Sequence, residues 1–215
     1  MTPASNEAEP CAQGFIRVTK HRVLVVEGKE DCFFFTALLE KLSLPNTQVL
    51  PIGGKDKIHP YLKALVATPG FSGVTSLGIV RDADDDPDAS FQSVCSALKA
   101  AGLPTPTKPM ETVGSKPKVT VMILPEATVP GALEDICLKA VMDDPVMPCV
   151  NQYFQCLKDT ASSFPRNESK ARIHVFLASR EEADLRLGEA ARKGVWPWQN
   201  NAFDQIKAFL RVICG

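Results

Sequence analysis

The sequence lacks the residue patterns that mark a zinc site or a cysteine-histidine catalytic pair. Its seven cysteines include no CxxC pair, and its three histidines form neither an HxxxH nor an HExxH arrangement. Zinc chemistry and thiol-imidazole catalysis therefore have little support. Any chemistry that the chain performs has to come from carboxylates and lysines.

The sequence also lacks a strong charge bias and a long apolar run. Its 24 lysines and arginines nearly balance 25 aspartates and glutamates, which gives a formal net charge of −1. No overall charge therefore attracts the chain to nucleic acid or to a membrane. No segment approaches about 18 uninterrupted apolar residues, and the polar, acidic opening does not resemble a signal peptide. These features predict a cytoplasmic protein without membrane contact.

The length of 215 residues suits one α/β domain with an added helical part. Residues 1–15 are polar and acidic, which predicts a disordered N-terminal tail. Residues 16–145 are predicted to form the α/β domain. Residues 146–215 are predicted to form a helical C-terminal extension packed on it.

Short apolar runs alternate with helical patterns along the α/β part. The runs at 21–26, 48–52 and 76–80, separated by helical patterns, form a βαβαβ unit, and such units build parallel sheets flanked by helices. Residues 103–118 are rich in proline and predict a loop or an edge hairpin. A fourth strand is predicted at 119–124. The predicted helices cover residues 32–42, 57–67, 89–101, 132–142, 150–160, 170–178, 181–192 and 203–212.

Acidic residues follow two of these predicted strands. Glu27 follows the first strand, and five carboxylates crowd the positions directly after the third: Asp82, Asp84, Asp85, Asp86 and Asp88. The carboxyl ends of parallel strands share one edge of the sheet, where ligands bind, and adjacent strands lie about 4.8 Å apart. Carboxylates held this close repel one another, which raised pKa values or a divalent ion would relieve. An all-oxygen site favours Mg²⁺ or Mn²⁺.

Other interpretations of these acidic residues remain open. Asp84 to Asp88 also suit a solvated loop in which Asp88 caps the next helix. Glu27 also suits a position just before a helix, where negative charge is favourable. An EF-hand is excluded, because Pro87 stands where the calcium loop needs glycine. A lysine or arginine filling the gap between the acidic tips would argue against a metal site.

The segment Val25-Val26-Glu27-Gly28-Lys29-Glu30-Asp31, together with Asp82-Ala83-Asp84, resembles the Toprim fold, the metal-binding domain of topoisomerases, bacterial primases and OLD-type nucleases. The resemblance is closest to small stand-alone Toprim proteins related to OLD-type nucleases. It implies a Toprim-like, Rossmann-type sheet in which Asp82 and Asp84 hold Mg²⁺ and Glu27 is a ligand or general acid/base. The Leu133-Glu134 pair resembles a glutamate that OLD-type proteins use for a second ion.

Lysines and glycines in the loops after the first two strands are candidate substrate-binding residues. Lys29 and Lys55 are placed to contact phosphate oxygens, and Gly53 and Gly54 allow close approach of the backbone. The predicted catalytic residues are Glu27, Lys29 and Glu134. The predicted metal ligands are Glu27, Asp82, Asp84 and Glu134.

The first functional hypothesis is a Mg²⁺-dependent phosphodiester hydrolase, similar to a nuclease, that acts on nucleic acid. The alternative is a non-catalytic Toprim module that binds metal or nucleotide and serves as an interaction partner in a DNA repair or defence system. A partner protein or a homodimer is compatible with either hypothesis. No GxxxxGK[ST] motif is present, so the ATPase domain of many OLD-type nucleases is absent from these 215 residues.

Overall fold

A computed structural model describes residues 17–44 and 46–215. The predicted tail at residues 1–15 lies outside the described residues. The strands, in chain order, are β1 (Arg22–Val26), β2 (Thr47–Pro51), β3 (Ser76–Asp82), β4 (Thr112–Val113) and β5 (Lys118–Leu124). The helices are α1 (Lys29–Lys41), α2 (Ile58–Ala67), α3 (Pro87–Ala100), α4 (Leu133–Ala140), α5 (Met147–Thr160), α6 (Glu168–Ala178), α7 (Leu187–Arg192) and α8 (Asp204–Cys214).

The five strands form one sheet in the order β2-β1-β3-β5-β4. β1 is parallel to β2 and β3, and β3 is parallel to β5, whereas the short edge strand β4 is antiparallel to β5. The predicted α/β class, with a mostly parallel sheet and a helical C-terminal part, is confirmed. Since the chain leaves β1 toward β2 and returns on the other side to β3, the strand order reverses between β1 and β3. Ligands bind at such a point in open α/β sheets.

Helices cover both faces of the sheet, which explains the continuous apolar runs of its strands. Val23 and Val25 pack with α2 and α3 on one face, where Leu62 and Phe91 are buried. Alternate residues of the same strands pack on the other face with α1, α4, α5, α6, α7 and α8. The helices after α4 therefore share a core with the sheet.

The prediction of a helix at 181–192 was wrong for its first six residues, because α7 begins only at Leu187. The Glu189 carboxylate accepts a hydrogen bond from the Arg186 amide at 3.0 Å and thereby closes the first turn of α7. Gly188 lies so close to α1 that an added Cβ would come within 2.4 Å of the Glu30 carbonyl oxygen. The start of this helix is therefore set by its contact with α1.

None of the helices in the described part of the chain has the length and apolar character needed to cross a membrane.

Candidate metal centre at the carboxyl edge of the sheet

The two acidic tips lie side by side because β1 and β3 are neighbours. Glu27 directly follows β1, and Asp82 is the last residue of β3. Successive side chains of a strand point to opposite faces of the sheet, so neighbouring residues of β3 reach different parts of the site. Arg81 lies on the same face of β3 as Ile79, two residues earlier, which is buried against α2 and α3. Asp82 lies on the face of Val80, which is buried against the other helices.

Gly53 and Gly54 hold the end of β1 in place. Their backbone amides donate hydrogen bonds to the Glu27 carbonyl oxygen at 3.0 and 3.2 Å. Their φ angles of 85° and 124° favour glycine, which has no Cβ to clash in this region. These two predicted substrate-binding residues thus position Glu27 through the backbone.

The start of α4 meets the end of β3. The Leu133 amide donates to the Asp82 carboxylate at 3.1 Å, so the first residue of the helix contacts the site. Glu134, the next residue, is half-buried and lies near enough to raise the pKa of Asp82. The Asp135 carboxylate accepts hydrogen bonds from the Ala132 amide and the Ser169 hydroxyl, which holds α4 against α6.

Asp31 is a member of this cluster that the sequence analysis did not predict as a site residue. Its carboxylate accepts a hydrogen bond from the Gly28 amide at 2.7 Å in the first turn of α1. The pKa of Asp31 is raised to about 6, mainly by burial and also by the nearby Glu134 and Glu27 carboxylates, against the opposing effect of the Gly28 hydrogen bond. The available signal was its place in the first turn of the helix that directly follows Glu27.

Electrostatic strain is strongest at Asp82. Burial raises the pKa of Asp82 well above its ordinary value, and the carboxylates of Asp31, Glu134 and Glu27 raise it further. The hydrogen bond from Leu133 opposes this effect. Burial also raises the pKa of Glu27, although Arg81 partly lowers it. The side chains that act most strongly on Asp82 are thus other acids.

Arg81 is the second site residue that the sequence analysis did not place, and it lies between two predicted metal ligands. Its guanidinium is 3.3 Å from the Glu27 carboxylate and 3.7 Å from the Asp84 carboxylate. Lys55 is 3.3 Å from Asp84, and its carbonyl oxygen accepts a hydrogen bond from Arg81. An arginine therefore fills the gap between Glu27 and Asp84, which argues against a metal ion shared by that pair.

The remaining predicted residues lie outside this cluster of contacts. Lys29 stacks on the ring of Phe33, with its ammonium 5.4 Å from the ring centroid. Asp86 is the N-cap of α3 and accepts a hydrogen bond from the Ala89 amide at 2.9 Å. The interpretation of Asp88 as that cap was therefore wrong, because Asp88 lies within the first turn and is exposed. Asp85 is exposed as well.

The donor chemistry of the site fits a hard divalent ion. Two cations, Arg81 and Lys55, lie here among more carboxylates than they can balance. The five carboxylates are those of Glu27, Asp31, Asp82, Asp84 and Glu134. Among the described residues, Glu27 Oε2 is one of two buried side-chain atoms without a hydrogen-bond partner. In this conformation, no three His, Cys, Asp or Glu side chains of residues 17–44 and 46–215 are grouped closely enough to hold an ion. Ion binding therefore requires the carboxylates to move closer together.

Fold and site together define an α/β protein with a group of acidic residues at the point where the strand order reverses. The chain belongs to the family described as "Protein of unknown function (DUF3226)", whose model matches residues 21–215. No curated protein matches the sequence.

Two solved structures of the C-terminal region of the Xanthomonas campestris pv. campestris OLD protein are similar to this chain. The structure phased with iodine has 15% identity and a TM-score of 0.43, and the similarity covers 90% of this chain and 96% of that one. The structure phased with platinum has 14% identity and the same TM-score, with coverage of 90% and 94%.

Proposed function

We propose that this protein is a Mg²⁺- or Mn²⁺-dependent phosphodiester hydrolase of the Toprim class that acts on nucleic acid. The observation that carries the proposal is the crowding of Glu27, Asp82 and Glu134 at the switch point of the sheet, where Asp82 is surrounded by other carboxylates. Such crowding costs free energy unless protons or a cation relieve it. A divalent ion relieves it at neutral pH.

Three carboxylates are assigned to hold the ion: Glu27, Asp82 and Glu134. Each is fixed by a different element, since Glu27 follows β1, Asp82 ends β3 and Glu134 lies in the first turn of α4. A divalent ion held there would polarise a phosphoryl oxygen and lower the pKa of a coordinated water. Asp84, the fourth predicted ligand, contacts Lys55 and Arg81 instead.

Glu27 is also suited to move a proton. Burial raises the pKa of Glu27 above its ordinary value, which makes its carboxylate a stronger base. Its Oε2 atom is buried without a hydrogen-bond partner among the described residues and lies 3.3 Å from the Arg81 guanidinium, which holds the carboxylate in place. Lys29, exposed at the start of α1, is assigned to a phosphate oxygen of the substrate.

A second candidate function is a non-catalytic module that binds a metal ion or a nucleotide and acts as an interaction partner. The charges near the site favour this alternative, because several cations already have acidic partners. Arg81 and Lys55 both pair with Asp84, and Arg81 also pairs with Glu27. A long polynucleotide needs many lysine and arginine contacts to phosphate. A small phosphate-containing ligand needs fewer.

Cleavage assays with site variants test the proposal. Purified protein is incubated with supercoiled, linear and single-stranded DNA and with RNA, in Mg²⁺ or Mn²⁺. We expect cleavage that falls by about 100-fold or more in Glu27→Gln and in Asp82→Asn, because each variant removes an acidic group of the site. Asp88→Asn is the matched control, since Asp88 is an exposed acid nearby in the chain, in the first turn of α3.

Two outcomes would count against the proposal. Cleavage that survives in both Glu27→Gln and Asp82→Asn would refute the site assignment. Absence of cleavage by the parent protein, with Mn²⁺ binding retained, would favour the non-catalytic module.

A further inference from the structure

Arg81 is a charged side chain almost wholly buried at a site rich in carboxylates. Only 7% of its side-chain surface is exposed, and its Nε atom is the second of the two buried atoms without a hydrogen-bond partner among the described residues. Its guanidinium is anchored by a hydrogen bond of 3.2 Å to the Lys55 carbonyl oxygen. Burial of a charge is costly unless it is paired. The position of Arg81 therefore requires the carboxylates around it.

The charges of the site divide between the two faces of the sheet. On the face of α2 and α3, Arg81 and Lys55 balance Glu27 and Asp84 in a chain of contacts between 3.3 and 3.7 Å. On the opposite face, the Asp82 carboxylate accepts a hydrogen bond from the Leu133 amide at 3.1 Å, next to Glu134 in the first turn of α4, and Asp31 lies in the first turn of α1. The first set is close to neutral, whereas the second consists of acids. The unbalanced negative charge, which a cation would neutralise, therefore lies on the Asp82 side.

We propose that Arg81 occupies the position of a second metal ion, so that this site binds one divalent ion, on the Asp82 side, and Asp84 is a partner of Arg81 and Lys55. This inference rests on the proposed function, because it assumes that a divalent ion binds to the cluster. It assigns Arg81 as a positioning residue that fixes Glu27 and limits the number of ions.

The geometry explains why Arg81 and a second ion exclude each other. Mg²⁺ needs carboxylate oxygens at about 2.0–2.1 Å in octahedral geometry. A guanidinium that is 3.3 Å from Glu27 and 3.7 Å from Asp84 fills the space in which such an ion would contact both. Arginine also keeps its charge at every working pH, so deprotonation does not remove it. A second ion would have to displace a buried cation.

Counting the bound ions tests this inference. The full chain, freed of metal with a chelator, is titrated with Mn²⁺, and bound Mn²⁺ per chain is measured by calorimetry and by electron paramagnetic resonance of the free ion. We expect one Mn²⁺ per chain. Two Mn²⁺ per chain would overturn the inference and leave the proposed function intact. Absence of Mn²⁺ binding would overturn both.

Two carboxylate variants locate the ion without disturbing Arg81 itself. In Asp84→Asn we expect one Mn²⁺ with affinity within about threefold of the parent. In Asp82→Asn we expect affinity to fall by about tenfold or more, as loss of metal-site groups does. A large loss of affinity in Asp84→Asn, with Asp82→Asn unaffected, would overturn the assignment.

Arginine variants provide the direct test. Arg81→Gln removes the resident charge, and we expect a second, weaker Mn²⁺ to bind. Arg81→Lys keeps the charge, and we expect one Mn²⁺. A folded Arg81→Gln variant that still binds one Mn²⁺ would contradict the inference. If circular dichroism shows that Arg81→Gln does not fold, the ion count of the parent and the Asp84→Asn result decide.

Discussion

Asp31 is a carboxyl group whose ionisation opposes folding. Its pKa is raised from 3.8 to about 6, mainly by burial. The folded state therefore binds this proton more tightly than the unfolded state does. Stability falls where the folded state holds more protons, so Asp31 destabilises the metal-free protein progressively as the pH rises from about 4 to about 6. Above pH 6 the loss is complete.

The substitution Asp31→Asn tests this pH dependence. The asparagine side-chain oxygen still accepts the hydrogen bond from the Gly28 amide, but the side chain no longer ionises. We expect the metal-free variant to be more stable than the parent by about 1–3 kcal/mol at pH 8, with little difference at pH 4. Urea unfolding in the presence of a chelator measures both values. If Asp31→Asn is less stable than the parent by the same amount at both pH values, the ionisation of Asp31 does not affect folding and the prediction is wrong.

At the scale of single residues, the sequence was most informative where a side chain follows a strand directly. Glu27 and Asp82 were predicted to lie at the same edge, and they do, because strand ends fix their position. The partners of Arg81 were not predictable, because they depend on which face of β3 it occupies and on the register with β1. Asp31 was overlooked because an acid in the first turn of a helix has an ordinary explanation.

At the scale of elements, the acidic loop before α3 has two roles, one in the site and one at the start of the helix. Asp84 contacts the cations of the site, whereas Asp86 accepts a hydrogen bond from the Ala89 amide and begins the helix, with Pro87 at its first position. Proline suits this position because its missing N–H would have no partner there. The acidic run is therefore divided between the site and the helix cap.

Substitutions in this loop separate its capping role from its charge. We expect Asp86→Ala to lower the free energy of unfolding by about 1 kcal/mol, because it removes the cap of α3. Asp88→Ala removes the same charge two residues later, in the first turn of α3, without removing a cap, and we expect a change within about 0.5 kcal/mol. Denaturant unfolding measures both variants. A larger loss in Asp88→Ala than in Asp86→Ala would contradict the assigned cap.

Elements with a strong apolar pattern were predicted from the sequence, and elements shaped by distant contacts were not. β1 and β3 were identified because their buried runs have little polar interruption. The late start of α7 depends on the close approach of Gly188 to Glu30, residues far apart in the chain. β4 has two residues and forms only through pairing with β5, so its sequence carries little signal of its own.

At the scale of the whole molecule, the fold itself brings the charges together. The sheet order places the ends of β1 and β3 side by side, and α1 and α4 begin next to them. The folded chain therefore holds a group of mutually repelling carboxylates that the unfolded chain does not. An ion that binds this group binds the folded state selectively and stabilises it by mass action. Folding and ion binding are expected to be coupled in this protein.

The order of the chain also explains why the site was partly predictable as a whole. A βαβαβ pattern limits the arrangements of a parallel sheet to a few, and in several of them the first and third strands are neighbours. The helices after α4 share a core with the sheet, but their packing depends on contacts such as that between Ser169 and Asp135, which no local pattern reveals.

We infer above all that the carboxylates at the ends of β1 and β3 and at the start of α4 bind a divalent ion. Anomalous X-ray diffraction from crystals of the full chain soaked in Mn²⁺ tests it most directly, because the anomalous signal locates the ion itself. We expect a Mn²⁺ peak in contact with the carboxylates of Glu27, Asp82 and Glu134, with Arg81 still beside Asp84. No peak at these residues under saturating Mn²⁺ would contradict the claim.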